Sequence, residues 1–234
     1  MQKTKVLVLG KNKKSVSKVK KLLSKYKNLV KSKEPSLIIS LGGDGTFFYN
    51  ERKFPSIPKL LVRDNSICRL CSIYEIKNIE KYLNKLNNNK FELISYDKIL
   101  CQFKDKKIQA VNDIVIRNKN QYEAIRFDLF INNKRIYENI IGDGVIICTS
   151  FGSTGYYNSI TKSKFTNGIG LALNNVNKNE TKLNIKEKDI IKFKLKRGFA
   201  IISSDNDKKL INLKDSDEVV IKKSKDKAFI VLLK

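Results

Sequence analysis

The sequence predicts two domains of different class: an N-terminal Rossmann-like α/β domain over residues 1–90, then a C-terminal β-sandwich or β-roll over residues 91–234. Three observations predict it. Short apolar runs alternate with amphipathic segments of helical period up to residue 90. From Phe91 onward period-2 alternation takes over. After that point only the stretch following Gly152 reads as helical.

The elements follow in order. Residues 5–9 (KVLVL) form a short apolar run closed by Gly10, a strand. In residues 15–26, Val16, Val19, Leu22, Leu23 and Tyr26 recur at helical spacing between lysines. Residues 37–41 (LIISL) are a second buried strand, running straight into Gly42-Gly43. A short helix opens near Thr46 and extends to Glu51, and residues 59–62 are a third strand. Ile76, Ile79, Tyr82, Leu83 and Leu86 share one helix face, which the polar run 87–90 ends. This alternation argues for a doubly wound parallel sheet. Further on, residues 125–131 carry apolar side chains at odd positions, and residues 191–196 alternate strictly, so each strand should bury one face and wet the other. Asn132-Asn133 and Asp205-Asn206-Asp207 read as turns.

Composition narrows the chemistry. A chain of 234 residues can bury one good core or two modest ones. No apolar run approaches the roughly 20 residues that a membrane helix needs, and no signal peptide is legible, so a cytoplasmic location with no membrane partner is expected. The net charge of +25 suits a polyanionic partner, but the lysines are dispersed over the whole chain. Dispersed charge serves solubility and steers anions, so nucleic acid is not the expected partner. With no histidine, any general base must be Asp, Glu, Lys, Tyr or Cys. Cys68 and Cys71 have C-x-x-C spacing, but no second pair completes a zinc site. All four cysteines, including Cys101 and Cys148, are expected to be thiols without chemistry.

Three motifs carry function. The first is Gly42-Gly43-Asp44-Gly45-Thr46 at the end of a buried strand, where ligands of α/β folds sit. Its glycines permit unusual dihedrals and close approach of N–H groups to phosphate oxygens, and Thr46 adds a hydroxyl at a helix start. Asp44 would repel a phosphate, so it is read as a catalytic or Mg²⁺-holding acid. The second is Gly142-Asp143-Gly144, an apolar strand to Cys148, then Thr149, Gly152, Ser153, Thr154, Gly155, Tyr156 and Tyr157. Hydroxyls there can bond ribose or amide groups, and tyrosines can stack on a base. The third is Asn112-Asp113 beside an apolar strand, a polar pair that needs partners or a ligand. Each has a plain alternative as a turn or polar loop.

Together and in this order, these motifs resemble the NAD kinase family, within a superfamily that includes diacylglycerol and sphingosine kinases. Gly-Gly-Asp-Gly-Thr is shared across that superfamily; the run Thr149 to Tyr156 resembles the more specific signature of NAD kinases. The resemblance implies a Rossmann-like domain followed by a β-rich one. It implies that Asp44 is the general base on the 2′-hydroxyl of the adenosine ribose of NAD. Gly42, Gly43, Gly45 and Thr46 would shape the donor-phosphate site, with ATP or polyphosphate as donor and Mg²⁺ as cofactor. Asn112 and Asp113 would hold the adenosine portion. Asp143 and the run Ser153, Thr154, Gly155, Tyr156 to Ser159 would line the rest, and a homodimer or homotetramer would be the assembly. The chain departs from the family at Gly155, where Ala is usual, at Tyr157, where Ser is usual, and over residues 61–71. The alternatives are a lipid or sphingoid-base kinase of the same superfamily and a non-catalytic, basic nucleic-acid-binding relative.

Overall fold

The computed structural model describes residues 3–64, 73–178 and 181–234. Cys68 and Cys71, with most of the departure at residues 61–71, lie outside them. The chain divides into two compact units, residues 1–96 with 227–234 and residues 97–226.

In the first unit the elements are β1 (Thr4–Gly10), α1 (Lys13–Leu22), β2 (Leu29–Lys31), β3 (Leu37–Leu41), α2 (Asp44–Lys53), β4 (Lys59–Val62), α3 (Ile79–Asn87) and the start of β5 (Phe91–Phe103). The sheet is parallel, with order β2-β1-β3-β4. α1 buries Val19 and Leu22, and α3 buries Ile79, Tyr82, Leu83 and Leu86, the faces that the spacing marks. Both helices pack into one core with Val6, Val8, Ile39, Leu60 and Val62. The last residues of the chain return here: Ile230 pairs in parallel with Lys59, and Val231 joins the core.

The second unit contains β6 (Lys106–Ala110), β7 (Asp113–Asn118), β8 (Ile125–Ile131), β9 (Lys134–Gly142), β10 (Gly144–Thr149), α4 (Tyr156–Thr161), β11 (Ile169–Asn174), β12 (Lys182–Ile185), β13 (Ile191–Arg197), β14 (Ala200–Ser204), β15 (Ile211–Leu213) and most of β16 (Glu218–Leu233). One antiparallel sheet has the order β12-β11-β10-β7-β14-β15. A second antiparallel array runs β16-β13-β8-β9. Ile114, Ile116, Val145 and Ile147 of the first sheet meet Phe127, Phe193, Val219 and Ile221 of the second in one core, with Phe127 and Phe193 stacked at 5.0 Å. This is a sandwich. The opposite face of β10 packs Ile146 and Cys148 against Tyr157 of α4. Burial on both faces explains why β10 reads as a continuous apolar run rather than an alternating one.

One strand departs from its pattern. Asp128, at a position that alternation assigns to solvent, is buried. Register shifts on both sides of Leu129, and the Asp128 carboxylate accepts the Asn139 N–H at 2.7 Å. The extra residues lie in β9, where Asn139 has φ 50°, and the hydrogen bond from its N–H offsets the desolvation of the Asp128 carboxylate. Asn132 and Asn133 form the expected two-residue turn, both at positive φ. Cys101 and Cys148 are free and buried; burial pushes the Cys101 thiol up to about 12 and that of Cys148 higher still, so both are inert. No helix among the described residues is long and apolar enough to cross a membrane.

Candidate active site

In the first unit, three parallel strands end side by side. Gly10 of β1 pairs with Leu41 of β3, and Leu41 pairs with Val62 of β4. Their carboxyl ends therefore release three chain segments at one edge, and these line a cavity of about 340 Å³: Lys11 and Asn12 after β1, Gly42 to Thr46 after β3, and Asp64 after β4. That is where the parallel topology puts a ligand. The unusual dihedral expected of the glycines is used at Gly42, whose φ is 148°. A Cβ there would also stand 2.3 Å from the Thr46 hydroxyl. Gly43 is extended, and Gly45 lies inside α2 with open space where a side chain would be. Gly45 thus keeps room open in the cavity wall rather than permitting a turn. Asp44 is the first residue of α2, whose N-cap, Gly43, offers no side-chain hydrogen bond. The helix start therefore presents amide N–H groups and a positive dipole end beside a carboxylate.

Helix α2 buries Phe47 and Phe48, and polar contacts also hold it beneath this turn. Asn50 donates to the Ser40 hydroxyl at 2.9 Å in the interior. Glu51, buried, accepts the Ser56 N–H at 2.9 Å and pairs with the ammonium of Lys59, which is fully buried. Lys59 also donates to the carbonyls of Phe54 and Ile57, each at 2.7 Å. The pair fixes α2 to the start of β4.

In the second unit, antiparallel pairing brings the start of β7 beside the ends of β10 and β14. The segment Val111-Asn112-Asp113 sits at that edge, and each of its six backbone polar groups has a partner on one of two residues. The Asp205 carboxylate accepts the N–H groups of Val111 at 2.7 Å, Asn112 at 2.8 Å and Asp113 at 3.1 Å. The Thr149 hydroxyl donates to the Val111 carbonyl at 2.5 Å, and the Thr149 N–H donates to the Asn112 carbonyl at 3.1 Å. The Asp205 N–H donates to the Asp113 carbonyl at 3.1 Å. Asn112 then donates from its amide to the Asp113 carboxylate at 2.7 Å.

The hydroxyl-rich loop packs onto this segment. A Cβ on Gly152 would meet the Asn112 carbonyl oxygen at 2.1 Å, and one on Gly155 would meet the Asn112 amide nitrogen at 3.1 Å. The structure therefore brings Asn112, Asp113, Gly152 and Gly155 together. Ser153 is buried and donates to the Phe165 carbonyl at 3.0 Å, so its hydroxyl holds the loop. Ser159 likewise donates to the Tyr156 carbonyl at 2.7 Å. Thr154 is exposed. Of the two tyrosines, Tyr157 is buried edge-on against Phe165, and Tyr156 is exposed. Asp143 stands apart. It precedes β10, six residues before Thr149 and so about 20 Å along the strand. Its carboxylate accepts from the amides of Asn118 at 3.3 Å and Asn175 at 3.1 Å. The Tyr156 hydroxyl reaches towards that end, 3.5 Å from the Asn174 amide.

A glycine-rich strand-end turn with its acid on a helix start thus precedes a sandwich that holds an Asn-Asp pair. No protein-family model matches the chain. A stretch of 126 residues is 33% identical to the NAD kinase of Clostridium kluyveri, covering 51% of this chain and 44% of that protein. Among solved structures, yeast NADH kinase complexed with NADH aligns with 100% of this chain and 84% of its own, at a TM-score of 0.85 and 17% identity. An NAD kinase from Archaeoglobus fulgidus in complex with ATP aligns over 98% and 93%, at 0.82 and 20%. The chain is similar to NAD kinases over about half its length. It carries their two-part fold, and the matched stretch spans less than half the length of the curated relative.

Four polar residues take roles that motif reading alone does not assign. Lys11 and Asp64 line the cavity only because three strands end together. Thr149 and Asp205 hold the Asn-Asp segment from two other strand ends. Thr149 lies inside a quoted signature, and Asp205 inside a predicted turn, but neither spacing announces a contact with residue 112.

The two acids at this edge titrate unusually. Burial pushes Asp205 up to about 7, with the nearby Asp113 charge adding to it and the three N–H bonds opposing. Burial raises Asp113 to about 6, against the Asn112 hydrogen bond. Both folded values lie above the unfolded ones, so the folded chain holds more protons between about pH 4 and pH 7. Their contribution to stability is greatest below about pH 4 and is lost as pH rises towards 7. The stability cost of Asp205→Asn should therefore be larger at about pH 5.5 than at about pH 8, read from urea midpoints. An equal cost at both values would contradict the raised acid.

Proposed function

We propose that the chain is an NAD kinase, transferring the terminal phosphoryl group of ATP to the 2′-hydroxyl of the adenosine ribose of NAD to give NADP and ADP. The observation that carries this reading is Asp44, at the first position of a helix, in the wall of a cavity that three strand ends create. The hydroxyl oxygen attacks the terminal phosphorus, the bridging P–O bond breaks towards ADP, and Asp44 accepts the hydroxyl proton. Lys11 and the first amides of α2 offset the phosphate charge. Lacking histidine, the chain has an aspartate as its natural base.

Among the described residues no group of three or more His, Cys, Asp or Glu side chains could hold a metal ion. The cavity carboxylates Asp44 and Asp64 still suit Mg²⁺, which takes most of its oxygens from phosphates and water. When bound, the ion would neutralise charge on the transferring phosphoryl group. In the second unit, Asn112 and Asp113 hold the adenosine portion, with Gly152 and Gly155 leaving room beside them. Tyr156 and Asp143 take the remaining part, and Ser153 and Ser159 shape the loop. The assembly we propose is a homodimer or homotetramer, as the family resemblance implies.

The reading is tested by offering one acceptor at a time with terminally labelled ATP and Mg²⁺: NAD, NADH, diacylglycerol or a sphingoid base. Label in the dinucleotide is the expected result. Label in a lipid, or in no acceptor, would overturn it.

A further inference from the structure

Asp205 occupies a costly position. It is buried, it lies at φ 44°, and Asn206 follows at φ 58°. Two consecutive non-glycine residues at positive φ are uncommon, and a buried carboxylate pays for desolvation. The return is specific: one carboxylate accepts three successive amide N–H groups, those of residues 111 to 113. Such a cage fixes three peptide planes at once. The carbonyls of the same segment are taken by Thr149 and by the N–H of Asp205 itself. No backbone group of the segment is left to rearrange, so the Asn112 and Asp113 side chains leave a rigid base at one orientation.

We infer that Asp205, assisted by Thr149, is the positioning residue of the acceptor site: it sets the Asn112–Asp113 pair for the adenosine portion of the acceptor and takes no part on the donor side. The inference rests on the proposed function for the identity of that acceptor. Asp205 need not touch the ligand. It acts through the three peptide planes, and the donor cavity, lined by Lys11, Asn12, Leu41 to Thr46 and Asp64, contains none of the residues it holds. A merely structural aspartate would, when lost, lower stability and all kinetic constants together. A positioning aspartate separates them.

The test uses the full chain with Asp205→Asn and, because that variant could fold poorly, Thr149→Val, which keeps the side-chain shape and removes the hydroxyl that donates to Val111 and accepts from the Gly152 N–H. NAD binding is measured by calorimetry and the donor by the KM for ATP, while amide proton NMR follows residues 111 to 113. Losing a two-oxygen acceptor that serves three backbone N–H groups should weaken NAD binding about tenfold or more, with KM for ATP within about twofold. The three amide protons should shift upfield together in Asp205→Asn, and Thr149→Val should weaken NAD binding in the same direction. Unchanged NAD binding in both variants overturns the inference, as does an equal loss on the NAD and ATP sides. The proposed function fails separately. A wild-type chain that binds NAD but forms no NADP ends the kinase reading alone, and one that does not bind NAD ends both.

Discussion

Replacing Asp44 by Asn is expected to lower kcat for NADP formation by about a hundred- to ten-thousand-fold while leaving NAD affinity within about threefold. The asymmetry follows from position. Asp44 lies at the start of α2, in the turn proposed to take the donor, whereas Asn112 and Asp113 are held by Thr149 and Asp205. Asn is nearly isosteric, so Gly42, with its positive φ and its close approach to the Thr46 hydroxyl, can keep the turn as it is. Removing a negative charge from a helix N-terminus costs only about 0.3–1 kcal/mol, so folding is not what the variant loses. Steady-state kinetics with an NADP-specific coupling enzyme, beside thermal melts, separates the two effects. A variant within about tenfold of wild type would remove Asp44 from the role of base.

Glu51→Ala should have the largest effect on stability, about 3–5 kcal/mol. It takes the carboxylate from the fully buried Lys59, whose ammonium then has backbone carbonyls such as those of Phe54 and Ile57 to offset its desolvation. It also withdraws the acceptor from the Ser56 N–H. A double variant, Glu51→Leu with Lys59→Met, removes both charges and should recover most of the loss, because a buried pair is worth little more than apolar side chains of similar volume. Urea unfolding of the three chains measures it. If Glu51→Ala costs under about 1 kcal/mol, the pair does not lock α2.

The parts of the fold legible in the sequence are those with local causes. β3 announces itself because it is buried along its whole length and stops at glycine, and α1 because its apolar residues recur at helical spacing. β13 alternates because one face is wet. Other parts have no local cause. β2 is three residues long with one buried side chain, below any periodicity. The return of residues 227–233 to pair with β4 depends on a contact between residues far apart in sequence. Asp128 falls at a solvent position by alternation, and nothing local marks Lys59 for full burial; each is buried where a partner, the Asn139 N–H or Glu51, meets it.

The candidate site divides in the same way. Asp44 is found by its turn, because strand, glycines and acid are contiguous. Asn112-Asp113 is found as an odd polar pair, but the reason it is stable is carried by Asp205, over ninety residues later. Lys11 and Asp64 reach the cavity only through strand order. Ser153 and Ser159 have the composition of ligand-binding hydroxyls, yet each is bonded to a nearby carbonyl, a use that composition does not distinguish from the first.

The proposed reaction places a phosphoryl group on one hydroxyl of NAD. Phosphorus NMR of the product formed from NAD, ATP and Mg²⁺ tests it most directly. A new phosphomonoester resonance coupled to the 2′ proton of the adenosine ribose, growing with the ADP signals and absent with Asp44→Asn, is the predicted result. No new phosphomonoester, or one coupled to another ribose position, would contradict it.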